Sequence, residues 1–457
     1  MGPLGTDAVR GRAGPLFGTD GVRGRANVDL TAELALALGA ASVRALCPPT
    51  RPRVVIGIDP RISGPMLRDA FAAGAASAGA DVVRLGVVPT ALVAFAAQRA
   101  DLGVMVTASH NPAPDNGIKI FGPGGRKLSG AEEAAIEAAL DEAWTRPTGN
   151  DVGVIYNCDG SDAEAYVADL LAALPRRLDG LRVVVDCANG AASGTAPEVY
   201  ERAGADVVAI NAFAGTINDG CGATHLAPLQ EAVRAHGAQV GIAHDGDADR
   251  CLAVDADGNV VDGDQILAIL ALVLRDAGRL AQDTVVSTVM ANLGFHQAMR
   301  ANGVTVVTTP VGDRNVLDAL QSGGFVLGGE QSGHVIVRDE APTGDGIRTA
   351  LHLLGAVAAS GRPLAELAAV VQRLPQVLVN VTTAAAAKDV AASAPVAAAV
   401  AAAESALGDR GRVLVRASGT EPLVRVMVEA PTDDEARAHA DAIARVAAAT
   451  TGNAPGA

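Results

Sequence analysis

Aromatic residues are scarce in this chain, 2% of 457, with a single tryptophan. A core built from it must therefore rely on small and branched aliphatic side chains, and apolar residues do make up 49% of the chain. Cysteine is sparse too. Cys47, Cys158, Cys187, Cys221 and Cys251 are odd in number, scattered and never in a CxxC pair, which gives no zinc signature and fits a reducing, cytoplasmic compartment. Long apolar runs are missing: the densest, 266–274, has the length of a buried helix, well short of the ~18 residues of a membrane span. Basic charge is outweighed, 36 Lys and Arg against 51 Asp and Glu, for a net charge of −15. Such a field repels nucleic acid and anionic membrane, so an anionic substrate needs a local basic pocket. What is present is a globular chain long enough for about three or four domains.

Two repeats organise it. LGTDAVRGRA at 4–13 recurs as FGTDGVRGRA at 17–26, too short and too close to be a duplicated domain. The second copy reads as functional and residues 1–14 as an extension. The other repeat bears on the fold. Val-rich runs at 53–59, 181–186 and 284–288 are each followed by a polar loop, a helical stretch and a second strand, at 79–83, 204–208 and 303–307. This alternation predicts α/β domains with largely parallel sheets. Beyond Pro375 alternating runs and an alanine-rich segment at 384–403 predict a smaller α+β domain. Composition shifts at 144–152 and 249–255 read as linkers, giving domains at 15–150, 151–252, 253–372 and 373–450.

Five stretches carry chemistry. Ser109 follows the apolar run 102–106 and precedes the turn signals Asn111-Pro112, Asp115-Asn116-Gly117 and Gly122-Pro123-Gly124-Gly125. An exposed hydroxyl at a strand end is a nucleophile or phosphoryl carrier only if charges gather around it; taken alone it more often bonds its own turn. In HDGDADRC at 244–251, Asp245, Asp247 and Asp249 alternate, and three close carboxylates call for a hard divalent cation with oxygen ligands. An EF-hand is excluded, because Arg250 stands where its loop needs Gly and Ala256 where it needs Glu. Arg250 also suggests a phosphate neighbour. In GEQSGH at 329–334, Glu330 and Ser332 are spaced to bond vicinal hydroxyls, as of a sugar, with His334 beside them. Arg416-Ala417-Ser418-Gly419-Thr420-Glu421-Pro422, with Arg425 beyond, makes a phosphate cradle that is not a GxxxxGK[ST] loop. Arg23 lies in the flexible loop FGTDGVRG at 17–24.

Together these motifs, in this order, resemble the α-D-phosphohexomutase superfamily over about residues 15–448. GEQSGH, STVMANLG at 287–294, CGATH at 221–225 and VGDR at 311–314 resemble its bacterial phosphoglucosamine mutase branch. The resemblance implies three similar mixed α/β domains and a smaller C-terminal one around a central cleft, the last a mobile lid. It implies that Ser109 carries a phosphoryl group, that Asp245, Asp247 and Asp249 hold Mg²⁺ against it, that residues 329–334 bind sugar hydroxyls, and that Arg416, Ser418, Gly419, Thr420 and Arg425 grip the non-reacting phosphate. The implied reaction interconverts glucosamine 6-phosphate and glucosamine 1-phosphate through phosphoserine and a 1,6-bisphosphate. Arg23 and Arg250 would stabilise the transferring group. Lys119, matching the family lysine in NGIK, is the expected general base, with His110 and His334 in reserve. A homodimer is the family-level expectation. Phosphoglucomutase or phosphomannomutase activity is the alternative; a silent sugar-phosphate sensor would lack a Ser, Asp or phosphate-loop residue, and none is missing. The chain departs from the family pattern at Ile58, where arginine is usual, at Ala417, where proline is frequent, and in its N-terminal duplication.

Overall fold

The computed structural model describes residues 15–450 apart from 19, 49, 175, 384–385 and 419–421. The first copy of the N-terminal repeat, Gly419 and Thr420 thus lie outside the described residues. The chain forms two compact units, one of residues up to 290 with 303–370, the other of 291–302 with residues from 371 on.

The first unit holds three mixed sheets. One comprises β1 (Val22–Arg25), β2 (Arg53–Ile58), β3 (Asp81–Val87), β4 (Leu102–Val106), β5 (Asp115–Phe121) and β6 (Ile155–Asn157), in the order β1-β5-β4-β2-β3-β6. The next comprises β7 (Arg182–Asp186), β8 (Asp206–Ile210), β9 (Val240–Ala243), β10 (Leu252–Asp255) and β11 (Val260–Val261), ordered β11-β10-β9-β7-β8. The third comprises β12 (Thr284–Thr288), β13 (Thr305–Thr309), β14 (Leu327–Gly329) and β15 (Val335–Val337), ordered β13-β12-β14-β15. Each repeats one plan. A Val-rich central strand is flanked by two parallel neighbours, and the later neighbour then turns back as an antiparallel hairpin: β4–β5, β9–β10, β14–β15. β2 is buried from Val54 to Ile58, as a parallel strand covered on both faces must be.

The scarcity of aromatics shows in the packing. A Cβ on Gly39 would lie 2.1 Å from the Phe71 carbonyl oxygen, and one on Gly74 2.0 Å from that of Leu36. The helices Ala32–Leu46 and Gly64–Ser77 therefore touch backbone to backbone, which only glycine permits.

Two expectations are corrected. Asp115-Asn116-Gly117 is not a turn but the start of β5, where pairing with β1 sets Gly117 opposite Arg23 and overrides the local turn preference. Residues 249–255 are not a linker: they finish the acidic loop and form β10, hydrogen-bonded to β9.

The second unit is a smaller α+β structure. β16 (Gln376–Thr382), β17 (Arg412–Ala417) and β18 (Leu423–Glu429) form an antiparallel sheet ordered β16-β18-β17. Its core includes Val396 and Leu407 of the helix Ala394–Leu407, Ile443 of the helix Asp433–Thr450, and Val424 and Val426. Much of the alanine-rich segment is helical, as alanine favours.

Candidate active site

The repeated plan puts chemistry at one recurring place. Ser109 lies in the β4–β5 connection, Asp245, Asp247 and Asp249 in the β9–β10 connection, and Glu330 to His334 in the β14–β15 connection. Each loop thus leaves the carboxyl end of a strand that runs parallel to its sheet's centre, the usual end for ligands in α/β sheets.

Ser109 is buried, and its φ of 51° is a left-handed conformation unusual for a residue with a side chain. Surrounding contacts hold it there. Its N–H donates to Thr107 Oγ1 at 2.8 Å, and its carbonyl accepts from Asn218 Nδ2 and Arg61 Nη2, both at 2.8 Å. Arg61, fully buried, uses the rest of its guanidinium on the Asn111, Pro112 and Asp115 carbonyls and on the Asp59 carboxylate at 2.9 Å, while Thr107 also donates to Asp59. Sequence reasoning gave Arg61 no role, and its signal was only the DPR run at 59–61. Arg61→Leu should strand the Asp59 carboxylate and four carbonyls, costing about 3–5 kcal/mol of stability. Denaturant unfolding measures this, and a loss below about 1 kcal/mol would contradict the assignment.

The acidic loop reaches this serine. Ser109 Oγ donates to Asp245 Oδ2 at 2.6 Å. A Cβ on Gly246 would lie 2.6 Å from the Ser109 carbonyl oxygen, so glycine permits the approach. Asp245, Asp247 and Asp249 are buried, with ligand atoms within 4.8 Å of one another. Burial and the other two carboxylates push the Asp245 carboxyl up to about 8. The Oδ1 atoms of Asp247 and Asp249 have no hydrogen-bond partner. Buried carboxylate oxygens without donors are costly, and a hard divalent cation with oxygen ligands would satisfy them, so the donor set fits such an ion.

Lys119 meets the same carboxylates. Its Nζ is 2.9 Å from Asp247, 3.1 Å from Asp249 and 2.9 Å from Asp20. Burial would lower its pKa, but these three carboxylates hold it well above the ordinary value. Lys119, the expected general base, is thus ion-paired to three carboxylates. Asp20 also pairs with Arg23 and with Lys127, and Lys127 in turn pairs with Asp313. Sequence reasoning did not single out Asp20, Lys127 or Asp313, though Asp20 stands in FGTDGVRG and Asp313 in VGDR, because nothing local marks a pair 107 or 186 positions apart.

A cavity of about 550 Å³ opens over these groups. Arg23, Ser109, His110, Asp249, Arg250, Glu330 and His334 all line it, so residues from all three loops and the β1 region converge. His110 Nδ1 is 3.3 Å from Ser109 Oγ, and burial, then Arg250 and Arg23, push the imidazole down to about 4. His334 is buried with Nδ1 3.7 Å from Asp249 and Nε2 3.8 Å from Asp313, ion-pair distances too long for hydrogen bonds. Burial disfavours its charge, but Asp249 and Asp313 raise its pKa overall. Glu330 Oε1 accepts from the Gly312 N–H at 3.0 Å. Ser332 is half-buried in the same loop but does not line the cavity.

In the second unit, Arg416 and Arg425 stand opposite each other on β17 and β18. Burial and the like charge of Arg425 pull the Arg416 guanidinium below its ordinary value. The Ser418 N–H bonds the Leu423 carbonyl at 2.9 Å and closes the base of the loop.

Comparison with known families matches residues 14–146, 164–258 and 262–374 to phosphoglucomutase/phosphomannomutase alpha/beta/alpha domains I, II and III, and 378–446 to the C-terminal domain of that family. A phosphoglucosamine mutase of Saccharopolyspora erythraea is 59% identical over 442 residues, covering 95% of this chain and 99% of its own. Among solved structures, a phosphoglucomutase/phosphomannomutase family protein from Burkholderia thailandensis matches with a TM-score of 0.78 at 26% identity, over 96% of this chain and 98% of its own. An Aspergillus fumigatus N-acetylphosphoglucosamine mutase in complex with GlcNAc-6P and magnesium shares the fold, with a TM-score of 0.66 at 21% identity over 98% of both chains.

Proposed function

The chain belongs to the phosphoglucomutase/phosphomannomutase family, and from that membership we propose that it interconverts glucosamine 6-phosphate and glucosamine 1-phosphate. The observation that carries this reading is its full-length likeness to curated phosphoglucosamine mutases.

Ser109, as phosphoserine, gives its phosphoryl group to the free hydroxyl of the sugar phosphate: the Ser109 O–P bond breaks, a sugar O–P bond forms, and the hydroxyl proton leaves to a base. The resulting 1,6-bisphosphate turns over, its other sugar O–P bond breaks as the Ser109 O–P bond reforms, and the proton held by the base passes to the freed sugar oxygen. Asp245, Asp247 and Asp249, with the phosphorylated Ser109, would hold Mg²⁺, which when bound neutralises charge on the transferring group. Arg23 and Arg250 line the same cavity and are suited to the phosphoryl oxygens. Glu330, Ser332 and His334 are assigned to sugar hydroxyls. Arg416, Ser418, Gly419, Thr420 and Arg425 are assigned to phosphate. Cytoplasmic residence and a homodimer complete the reading; among the described residues no helix is long and apolar enough to cross a membrane.

Lys119, ion-paired to three carboxylates, is assigned to charge stabilisation, and His110, whose Nδ1 lies 3.3 Å from Ser109 Oγ, takes the place of the base. Lys119→Arg should then keep kcat within about tenfold, since it keeps the charge. A loss of about 10²- to 10⁴-fold, with unfolding stability unchanged, would return the base role to Lys119.

Initial rates on glucosamine 1-phosphate, glucose 1-phosphate and mannose 1-phosphate test the substrate. We expect kcat/KM highest on the glucosamine phosphate; a clear preference for mannose would sink the proposal.

A further inference from the structure

We infer that a second cavity, walled by Arg44, Arg51 and Arg146 at the opposite end of the first sheet, is a binding site for a small phosphate-bearing anion, separate from the candidate active site. The cavity measures about 700 Å³, room for a compact organic or inorganic phosphate.

Topology sets it apart from Ser109. Arg51 and Pro52 lead into β2, and Ala78 and Gly79 lead into β3, so the cavity lies where parallel strands begin. Ser109 follows the far end of β4, which runs parallel to β2 in the register Val54 to Leu102 and Ile58 to Val106. The length of β2, about 20 Å, separates the two sites.

Its charge is out of keeping with the rest of the chain. The Arg44 and Arg146 guanidiniums lie 4.8 and 4.7 Å from the centre of the Trp144 ring, stacked on one indole. Arg44 donates to the Ala139 and Ala40 carbonyls, and Arg146 to Ser77 Oγ at 3.4 Å; among the described residues neither forms an ion pair. Arg51 pairs with Asp81 at 2.9 Å, and Asp151 is the one carboxylate among the described lining residues. Burial pulls the Arg44 guanidinium below its ordinary value; Glu142 opposes this and Arg146 adds to it. The helices Ala32–Leu46 and Gly64–Ser77 end here, and carbonyl ends repel anions, so selectivity must come from the guanidiniums. Like charges gathered around a cavity are costly, and a multiply charged anion relieves them. Guanidinium forks match phosphate oxygens two at a time.

Trp144 is the only tryptophan in the chain, so its fluorescence reports on this cavity and not on the active site. Titration with inorganic pyrophosphate at constant ionic strength should give a saturable change in emission. Arg51→Ala, which leaves the indole stack in place, should weaken the apparent affinity about tenfold or more, and calorimetry should show the same for Arg146→Ala. Neither variant should change turnover of glucosamine phosphate. The inference is overturned if pyrophosphate leaves the emission unmoved, if sodium chloride at matched ionic strength moves it equally, if both variants bind like the parent, or if citrate binds as tightly as pyrophosphate.

Discussion

Ser109→Ala should abolish mutase turnover, lowering kcat on the order of 10⁴-fold or more, as loss of a covalent carrier does. The hydroxyl sits beyond the end of β4 and donates a hydrogen bond to Asp245 Oδ2, and among the described residues no other side chain lining the cavity combines a hydroxyl with that contact. The fold should survive. Ser109 is held by its own backbone through Thr107, Asn218 and Arg61, none of which bonds the hydroxyl, and alanine bears the same φ of 51° at a similar cost. Intact-protein mass spectrometry should find a fraction of the parent chain heavier by one phosphate and none of the variant. If the variant keeps full turnover with glucose 1,6-bisphosphate supplied, Ser109 is not the carrier.

Removal of the divalent cation should cost nearly as much. Chelation, or Asp247→Asn, should lower kcat on the order of 10³-fold or more, since a cation at a transferring phosphoryl group supplies several kcal/mol of charge stabilisation. The geometry makes a further, non-catalytic prediction. Three buried carboxylates within 4.8 Å are balanced at Asp247 and Asp249 by Lys119 alone among the described lysines, and Asp247 and Asp249 each keep an oxygen without a donor. Mg²⁺ binding to the native state only should therefore raise the unfolding temperature of the parent in proportion to ln[Mg²⁺]. Asp247→Asn removes one charge and one ligand, and the rise should largely vanish. A parent chain whose unfolding temperature ignores Mg²⁺ would refute the metal assignment, whatever the activity data show.

Much of this was written in local sequence. The Val-rich strands, the helices between them and the acidic triplet follow from periodicity and residue type, because each is decided by neighbours a few positions away. Ser109 was legible only as a serine at a strand end, and its chemistry rested on company from other motifs. What local sequence misplaced or left unmarked has one source. Asp115-Asn116-Gly117 has turn chemistry, yet pairing with β1 makes it strand. Lys119 stands in a motif that suggests a base, and nothing local marks its carboxylate partners up to 130 residues away. Arg61 had no role in the sequence reading, yet burial puts four of its hydrogen bonds on carbonyls between Ser109 and Asp115 and a fifth on Asp59.

What the sequence determined by itself was therefore the inventory: repeated strand–helix–strand units, a hydroxyl, three carboxylates, a sugar-type loop and two arginine pockets' worth of charge, all set by side-chain chemistry and short-range spacing. What only the tertiary structure decided was their use. The same hairpin connection in three successive sheets brings Ser109, the acidic loop and the Glu330 loop to one cavity, and burial there turns ordinary charges into strongly coupled ones. Coulomb energies depend on separation in space and on exclusion of water, and neither is a property of position along the chain.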